Sequence, residues 1–433
     1  MPNTHLLKKI LVISYYFPPA NFAGSHRPAA WAKFLHESGY YPLVITRQWN
    51  ENQTDLSEPQ EHKELSVERS ETHEIHRLPY NRTWRDKCTD YKWLKFIQKS
   101  LTLLELILSK YFIRALPYSN FYEYSQQLIR EHGITTVIIT GGPFQSFFIG
   151  YQLKKDFPSI HWVPDYRDEW NTRTKDRSAS LILRIVCKLN QKSELKWTSN
   201  ASFFLSVSSD CVQSIGKYIS KEGFAVLNGF NEIDNKEDLN KQHSIELEGD
   251  FKLLYLGTLY DNQNFSNILE AIKRINQGSK LKVKLNFLGS YSNDQDYKTL
   301  LKRVKNCSEY VKILPKVRHH YVWSLLEKCD LCVLTPYKGI LGCLPVKIFE
   351  YYQAQKPILL SPSDNGLMET FVLQNHCGTI ANSIEECEQY ILELIKLKNE
   401  GKTIYSDRKM SRNLFYSRKY QTKRLAEILD KRC

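Results

Sequence analysis

The sequence predicts an α/β protein of two Rossmann-like domains facing each other across a cleft. Three observations predict it. Short apolar runs that end in glycine or proline turns alternate with helix-like segments along nearly the whole chain. At 433 residues the chain is too long for one ordinary core and suits two domains of roughly 200 residues. A polar stretch with no hydrophobic period, residues 231–249, interrupts the alternation midway. The expected division is therefore a first domain over 1–230, a linker over 231–249, a second domain over 250–405 and a basic C-terminal helix over 406–433.

In the first half, 10–13 reads as a buried parallel strand, followed by a loop with Pro18, Pro19 and Gly24. A helix over 27–38 ends at Gly39, a suitable C-cap, and 41–46 is the next strand. Residues 51–74 read as an exposed polar excursion. Residues 135–140 form a strand that runs into Gly141-Gly142-Pro143, where backbone can approach a ligand closely. Residues 144–155 are helical and 160–164 are a strand. At that strand's carboxyl end stand Asp165, Arg167, Asp168 and Glu169, the place where such sheets bind ligands. A helix over 181–197, a strand over 203–208 and a helix over 209–219 complete this half.

The second half repeats the pattern with strands at 251–256, 281–288, 311–314 and 331–334 and helices at 265–275, 297–304 and 321–328. A turn with Gly339 and Gly342 leads into a helix expected to start at Pro345, since the first helical position has no use for an N–H. Lys347 then lies in the first turn, beside free backbone N–H groups and the positive end of the helix dipole, a ready site for phosphate. Glu350 lies three residues on, on the same face. A strand from Pro357, a short one at 379–380 and helices at 384–400 and 406–431 follow.

The formal net charge of +13 favours acidic partners. The ten scattered cysteines suit reduced thiols, and Cys329 and Cys332 read as core. Asp294-Gln295-Asp296 reads as a helix start rather than a metal site. No secretory signal or bilayer-spanning run is visible. The segment 84–114 is basic and aromatic. Trp93, Ile97, Leu101, Leu104 and Leu108 recur at helical spacing beside Lys87, Lys92, Lys95 and Lys99. Such a helix can pack on its own domain or lie on an anionic membrane surface. No zinc finger or RNP-like run points to nucleic acid.

Taken together, several segments resemble glycosyltransferases of the GT-B fold, in particular glycosyltransferase family 4 of the bacterial polysaccharide and glycolipid type. They are Tyr16-Phe-Pro-Pro19, Gly24-Ser-His-Arg27, Thr140-Gly-Gly-Pro-Phe144, the Asp165–Trp170 run, Asn228-Gly-Phe230, Tyr255-Leu-Gly-Thr258, Pro345-Val-Lys347, Phe349-Glu-Tyr351 and Lys356-Pro-Ile358. The resemblance implies a GT-B fold whose C-terminal helix returns to the first domain. It implies a retaining transferase that moves sugar from a nucleotide-sugar to a glycan or lipid-linked acceptor. The cysteine usage suits a cytoplasmic protein, and the basic 84–114 segment motivates a peripheral place on the inner membrane face.

Lys347 would contact the diphosphate, Glu350 the ribose hydroxyls, and Gly257 and Thr258 would let backbone approach the phosphates. Val317 and Arg318 would lie near the base. Arg167, Asp168 and Lys347 would be catalytic, with Gly24, Arg27, Gly142 and Asp165 on the acceptor side. No metal or other cofactor is expected. Two departures stand out. Gly342 occupies the place of a second Glu found in many relatives, and Tyr260-Asp-Asn-Gln-Asn264 carries no cation where many have Arg and Lys. A GT-B nucleotide-sugar epimerase and a non-catalytic sugar-nucleotide binder remain as alternatives.

Overall fold

The strand β1 (Lys8–Ile13) sends alternate residues into two cores: Leu11 and Ile13 into one, Ile10 and Val12 into the other. Strand side chains alternate between faces, so a parallel sheet buried on both sides needs apolar residues at every position. That is why its buried part, Ile10–Ile13, reads as an unbroken apolar run. The computed structural model describes residues 7–50, 64–80, 82–89, 95–172, 181–232, 245–291, 293–339, 342, 344–402 and 413–433. The chain forms two compact units, residues 1–228 with 418–433, and residues 229–417.

In unit 1, β1 is followed by α1 (His26–Phe34), β2 (Tyr40–Arg47), β3 (Ser66–Arg69), β4 (Glu74–Leu78), α2 (Trp84–Thr89), α3 (Lys95–Leu108) and α4 (Asn120–His132). Then come β5 (Thr136–Thr140), α5 (Phe147–Asp156), β6 (His161–Tyr166), α6 (Leu181–Thr198), β7 (Phe204–Ser206), α7 (Ser209–Ile219) and β8 (Gly223–Ala225). The sheet order is β3-β4-β2-β1-β5-β6-β7-β8. The chain starts in the middle at β1, works outward to β4, then resumes at β5 on the other side. The gap between β1 and β5 is thus a topological switch point, where α/β sheets place their ligands.

Unit 2 repeats this plan with β9 (Phe251–Leu256), α8 (Ser266–Gly278), β10 (Val283–Leu288), α9 (Asp294–Arg303), β11 (Val311–Leu314), α10 (His319–Lys328) and β12 (Leu331–Leu334). It continues with α11 (Val346–Gln353), β13 (Ile358–Leu360), α12 (Leu367–Gln374), β14 (Gly378–Ile380) and α13 (Ile384–Asn399). Its sheet is parallel in the order β11-β10-β9-β12-β13-β14. The switch point here lies between β9 and β12.

The last helix, α14 (Arg418–Arg432), belongs to unit 1. Leu425, Ala426 and Leu429 enter the same core as Ile10, Val12, Trp31 and Leu35, and Tyr40 Oη donates to Asp430 at 2.7 Å. Burying a large apolar side chain contributes ~1.5–3 kcal/mol, so this helix is part of the sheet's cover.

Several expectations need correction. The excursion over 51–74 contains β3, which pairs antiparallel with β4. Its sequence, Ser-Val-Glu-Arg, offers one apolar residue and an almost wholly exposed edge, so no hydrophobic alternation announced it. Residues 51–63 lie outside the described set, as do 233–244 of the expected linker and 403–412 of the expected basic helix. Helix α14 begins at Arg418, not 406. Helix α9 begins at Asp294, and Asn293 is its cap, accepting from Asp296 N at 2.9 Å. Cys329 and Cys332 are buried free thiols with Sγ atoms 3.7 Å apart. Among the described residues, no helix is long and apolar enough to cross a membrane.

Candidate functional site

In unit 2, Gly257, Thr258 and Lys347 gather at the switch point, while Val317 and Arg318 follow the edge strand β11. β9 ends at Leu256, and Gly257 turns the chain with φ +78°, a left-handed conformation open to glycine at no steric cost. Its N–H is held by Leu288 O at 2.8 Å. Helix α11 comes up beside this turn. Pro345 has ψ 144° and is the N-cap, so the helix starts at Val346, one residue later than expected. A Pro N-cap offers no side-chain oxygen to the first N–H groups, and none of them receives a side-chain cap.

Lys347 Nζ lies 3.6 Å from the centroid of the Tyr255 ring. A Cβ built on Gly257 would be 3.9 Å from the same nitrogen. A cation over an aromatic face is held by the ring quadrupole, so Tyr255 seats the ammonium at the glycine turn. Tyr255 Oη in turn donates to Gln263 Oε1 at 3.0 Å, and Gln263 Nε2 donates to Thr335 O at 3.1 Å. Tyr351 Oη accepts from Leu256 N at 2.9 Å, which pins α11 to the end of β9. Glu350 is buried one turn along α11. Thr258 follows Gly257 on the loop. On the β11–α10 connection, Val317 is buried and Arg318 exposed as the N-cap of α10. The loop over 260–264 has no cation of its own, but Arg303 Nη1 donates to Tyr260 O at 3.1 Å and Arg303 Nη2 donates to Gln263 O.

In unit 1 the candidates split into two layers. Arg27 and Asp165 were expected on the acceptor side, but the structure turns both inward, at 3% and 0% exposure. Arg27 Nη2 donates to Asp165 Oδ1 at 2.7 Å and Arg27 Nε to both carboxylate oxygens at 3.1 Å. Arg27 Nη1 also reaches the carbonyls of Val226 and Leu227. Burial pushes the Asp165 carboxyl up, against the pull of Arg27 and Arg167. The pair ties α1, β6 and the segment after β8 together beneath the surface. The reason is local: Arg27 is on the inward face of α1, and Asp165 is a strand residue, not a loop residue.

Above this pair lie Arg167, Gly24 and Gly142. Arg167 Nε donates to Gly141 O at 2.8 Å, and its guanidinium is 5.5 Å from the Tyr16 ring centroid. A Cβ on Gly24 would fall 1.4 Å from Arg167 Nη1, and one on Gly142 2.2 Å from Nη2. The guanidinium therefore rests on two backbones bare of side chains. Asp168 is exposed next to it. The loop is braced from behind: Trp170 stacks on Phe144 at 5.1 Å and on Trp197 at 5.8 Å. Lys110 Nζ lies 5.4 and 5.3 Å from the Trp170 and Trp197 rings and donates to Asn190 Oδ1 at 2.6 Å.

The sequence assigned no individual role to Tyr255, Gln263 or Lys110. Tyr255 carried a faint signal as an aromatic next to the last residue of an apolar strand that ends in glycine. The other two act through contacts made far along the chain. Among the described residues, no group of three or more His, Cys, Asp or Glu side chains could hold a metal ion. Trp93, Leu94 and Lys92 of the amphipathic segment lie outside the described residues, as do the side chains of Lys95, Phe96 and Lys99. Leu104, Leu108, Tyr111 and Phe112 are exposed at 51%, 37%, 59% and 61%.

Solved structures with this architecture cover nearly the whole chain. Sucrose-phosphate synthase from Thermosynechococcus elongatus shares 13% identity over 98% of both chains, with a TM-score of 0.66. An α,α-trehalose-phosphate synthase (UDP-forming) from Burkholderia xenovorans shares 10% over 98% of this chain and 100% of its own, with a TM-score of 0.61. HepE from Anabaena, in complex with UDP-glucose, shares 14% over 98% and 99%, with a TM-score of 0.59. No curated protein matches the chain. The fold is GT-B, two Rossmann-like halves. Residues 236–412 match the glycosyl transferases group 1 model. With that match on a GT-B frame, the chain is a glycosyltransferase.

Proposed function

We propose that the protein is a retaining transferase of the family 4 type that moves a sugar from a nucleotide-sugar to a glycan or lipid-linked acceptor. The observation that carries this is Lys347, an ammonium seated on Tyr255 beside the Gly257 turn at the head of α11. A leaving diphosphate gains charge in the transition state, and a positioned cation with helix N–H groups stabilises that charge. Lys347 takes the diphosphate and Glu350 the ribose hydroxyls. Gly257 and Thr258 offer backbone to the phosphates, and Val317 and Arg318 lie near the base. Arg167 and Asp168 face the transferred sugar or the acceptor, with Gly24 and Gly142 shaping the acceptor side and Arg27 and Asp165 supporting it from beneath. UDP-glucose in HepE and glucose 6-phosphate in the trehalose-phosphate synthase illustrate the ligand classes. No metal or cofactor enters this reading.

The exposed apolar residues at the end of α3 and just beyond, set in a basic segment, support a peripheral place on an anionic inner membrane face. A role in surface polysaccharide or glycolipid synthesis follows from such an acceptor. Co-sedimentation with anionic liposomes tests this part, and no binding at low salt refutes it. A thermal-shift panel of UDP-, GDP-, ADP- and CMP-sugars tests the donor site. One donor is expected to stabilise the wild type and to lose its effect on Lys347→Ala and Glu350→Ala. Equal responses in the variants would remove the assignment.

A further inference from the structure

We infer that the acceptor is a sugar bearing an oxyanion, phosphoryl or carboxylate, held by the terminal nitrogens of Arg167. This rests on the transferase reading above and names the acceptor class for its first unit. Three observations lead to it.

The first is a charge count. Asp165 is the carboxylate inside the β6 end, and Arg27 occupies it with three contacts of 2.7 to 3.1 Å. Glu169, on the same loop, accepts from Ser214 Oγ, and Asp168 is exposed beside Arg167. Arg167 makes one hydrogen bond, from Nε to Gly141 O. Among the described residues neither Nη1 nor Nη2 donates a hydrogen bond or pairs with a carboxylate. A guanidinium presents parallel donors that match a carboxylate or phosphate in a bidentate way.

The second is the setting. Gly24 follows β1, Gly142 follows β5 and Arg167 follows β6, so the guanidinium stands at the switch point of this sheet. Any side chain at Gly24 or Gly142 would displace it. The third is orientation. Tyr16 lies under the guanidinium at 5.5 Å and is itself stacked on Trp49 at 5.6 Å. Tyr16 is thus a positioning residue, and the fork is held before any ligand arrives.

The experiment titrates the full-length protein with inorganic phosphate, a hexose phosphate, a hexuronate, the neutral hexose and an isoprenyl diphosphate-linked sugar, reading binding by calorimetry. Wild type, Arg167→Gln, Arg167→Lys and Tyr16→Leu are compared. At least one charged sugar is expected to bind ten-fold or more tightly than the neutral hexose. Arg167→Gln should erase that preference, Arg167→Lys restore it in part, and Tyr16→Leu weaken it several-fold. The free and isoprenyl-linked phosphates separate a soluble acceptor from a lipid headgroup. Equal binding of neutral and charged sugars, charged-sugar binding unchanged in Arg167→Gln, or no response to any charged sugar each overturns the inference. A donor thermal shift on the same variants confirms that they are folded. Absence of that shift in the wild type would count against the transferase reading instead.

Discussion

Lys347 sits with its ammonium 3.6 Å above the Tyr255 ring, although the two residues come from different elements at the end of the second sheet. The ammonium nitrogen is itself shielded from solvent, so an incoming phosphate meets a charge less screened than one in water. Lys347→Met keeps the aliphatic stem and removes the charge. Charge-assisted hydrogen bonds are worth ~1.5–3 kcal/mol, so donor Kd should rise about 10- to 100-fold. Ligand-free Tm should change little. Isothermal titration with the donor found in the panel checks both.

Gly24→Ala places a methyl where Arg167 Nη1 now lies. The obstructing atoms are the far end of a flexible side chain, so the guanidinium can swing away. The expected result is a stability loss under ~1.5 kcal/mol, with acceptor KM raised at least about ten-fold. Chemical denaturation and steady-state kinetics separate the two effects.

Removing one partner of a buried ion pair costs ~3–5 kcal/mol, and Arg27→Met should show it, since Asp165 is fully buried. The pH dependence has a definite sign. The folded Asp165 carboxyl lies above its ordinary value, so the native state binds protons more readily and this group favours folding as pH falls. In Arg27→Met the opposing cation is gone and the carboxyl rises further. The variant should therefore recover part of its lost stability between pH 7 and 5 relative to wild type, measured by urea unfolding.

Burial pushes the Lys110 ammonium down to about 8 from its ordinary 10.5. Between those values the unfolded chain binds the proton and the folded one does not, so stability from this group rises with pH across that window. Wild type minus Lys110→Met should become more favourable by ~1–2 kcal/mol from pH 7.5 to 10, allowing for partial solvent access. A flat difference would mean that Lys110 is not confined between Trp170 and Trp197.

Most strands and the two-fold repetition of the plan could be read directly, because parallel strands buried on both faces carry unbroken apolar runs, as at 10–13 and 253–256. β3 could not, since a charged edge strand has no such run. Gly24, Gly142, Arg167, Gly257 and Lys347 were each selectable from their places at strand ends and helix starts. Their pairings were not. Arg27 meets Asp165 across 138 residues of sequence, and nothing near either residue announces the other. That is why the sequence does not reveal that these two acceptor-side candidates pair with each other in the interior. The seat that Tyr255 gives Lys347 was hidden for the same reason, behind a strand that looked like plain core.

Helix α14 has a consequence for biosynthesis. Unit 1 is finished by a segment that the chain reaches only after unit 2, because Leu425, Ala426 and Leu429 share a core with Ile10 and Val12. Until residues 418–432 are made, the core of Ile10, Val12, Trp31 and Leu35 lacks the part of its apolar cover that Leu425, Ala426 and Leu429 supply. Transiently exposed apolar surface of this kind is aggregation-prone, so the first unit is fully protected only once α14 has docked.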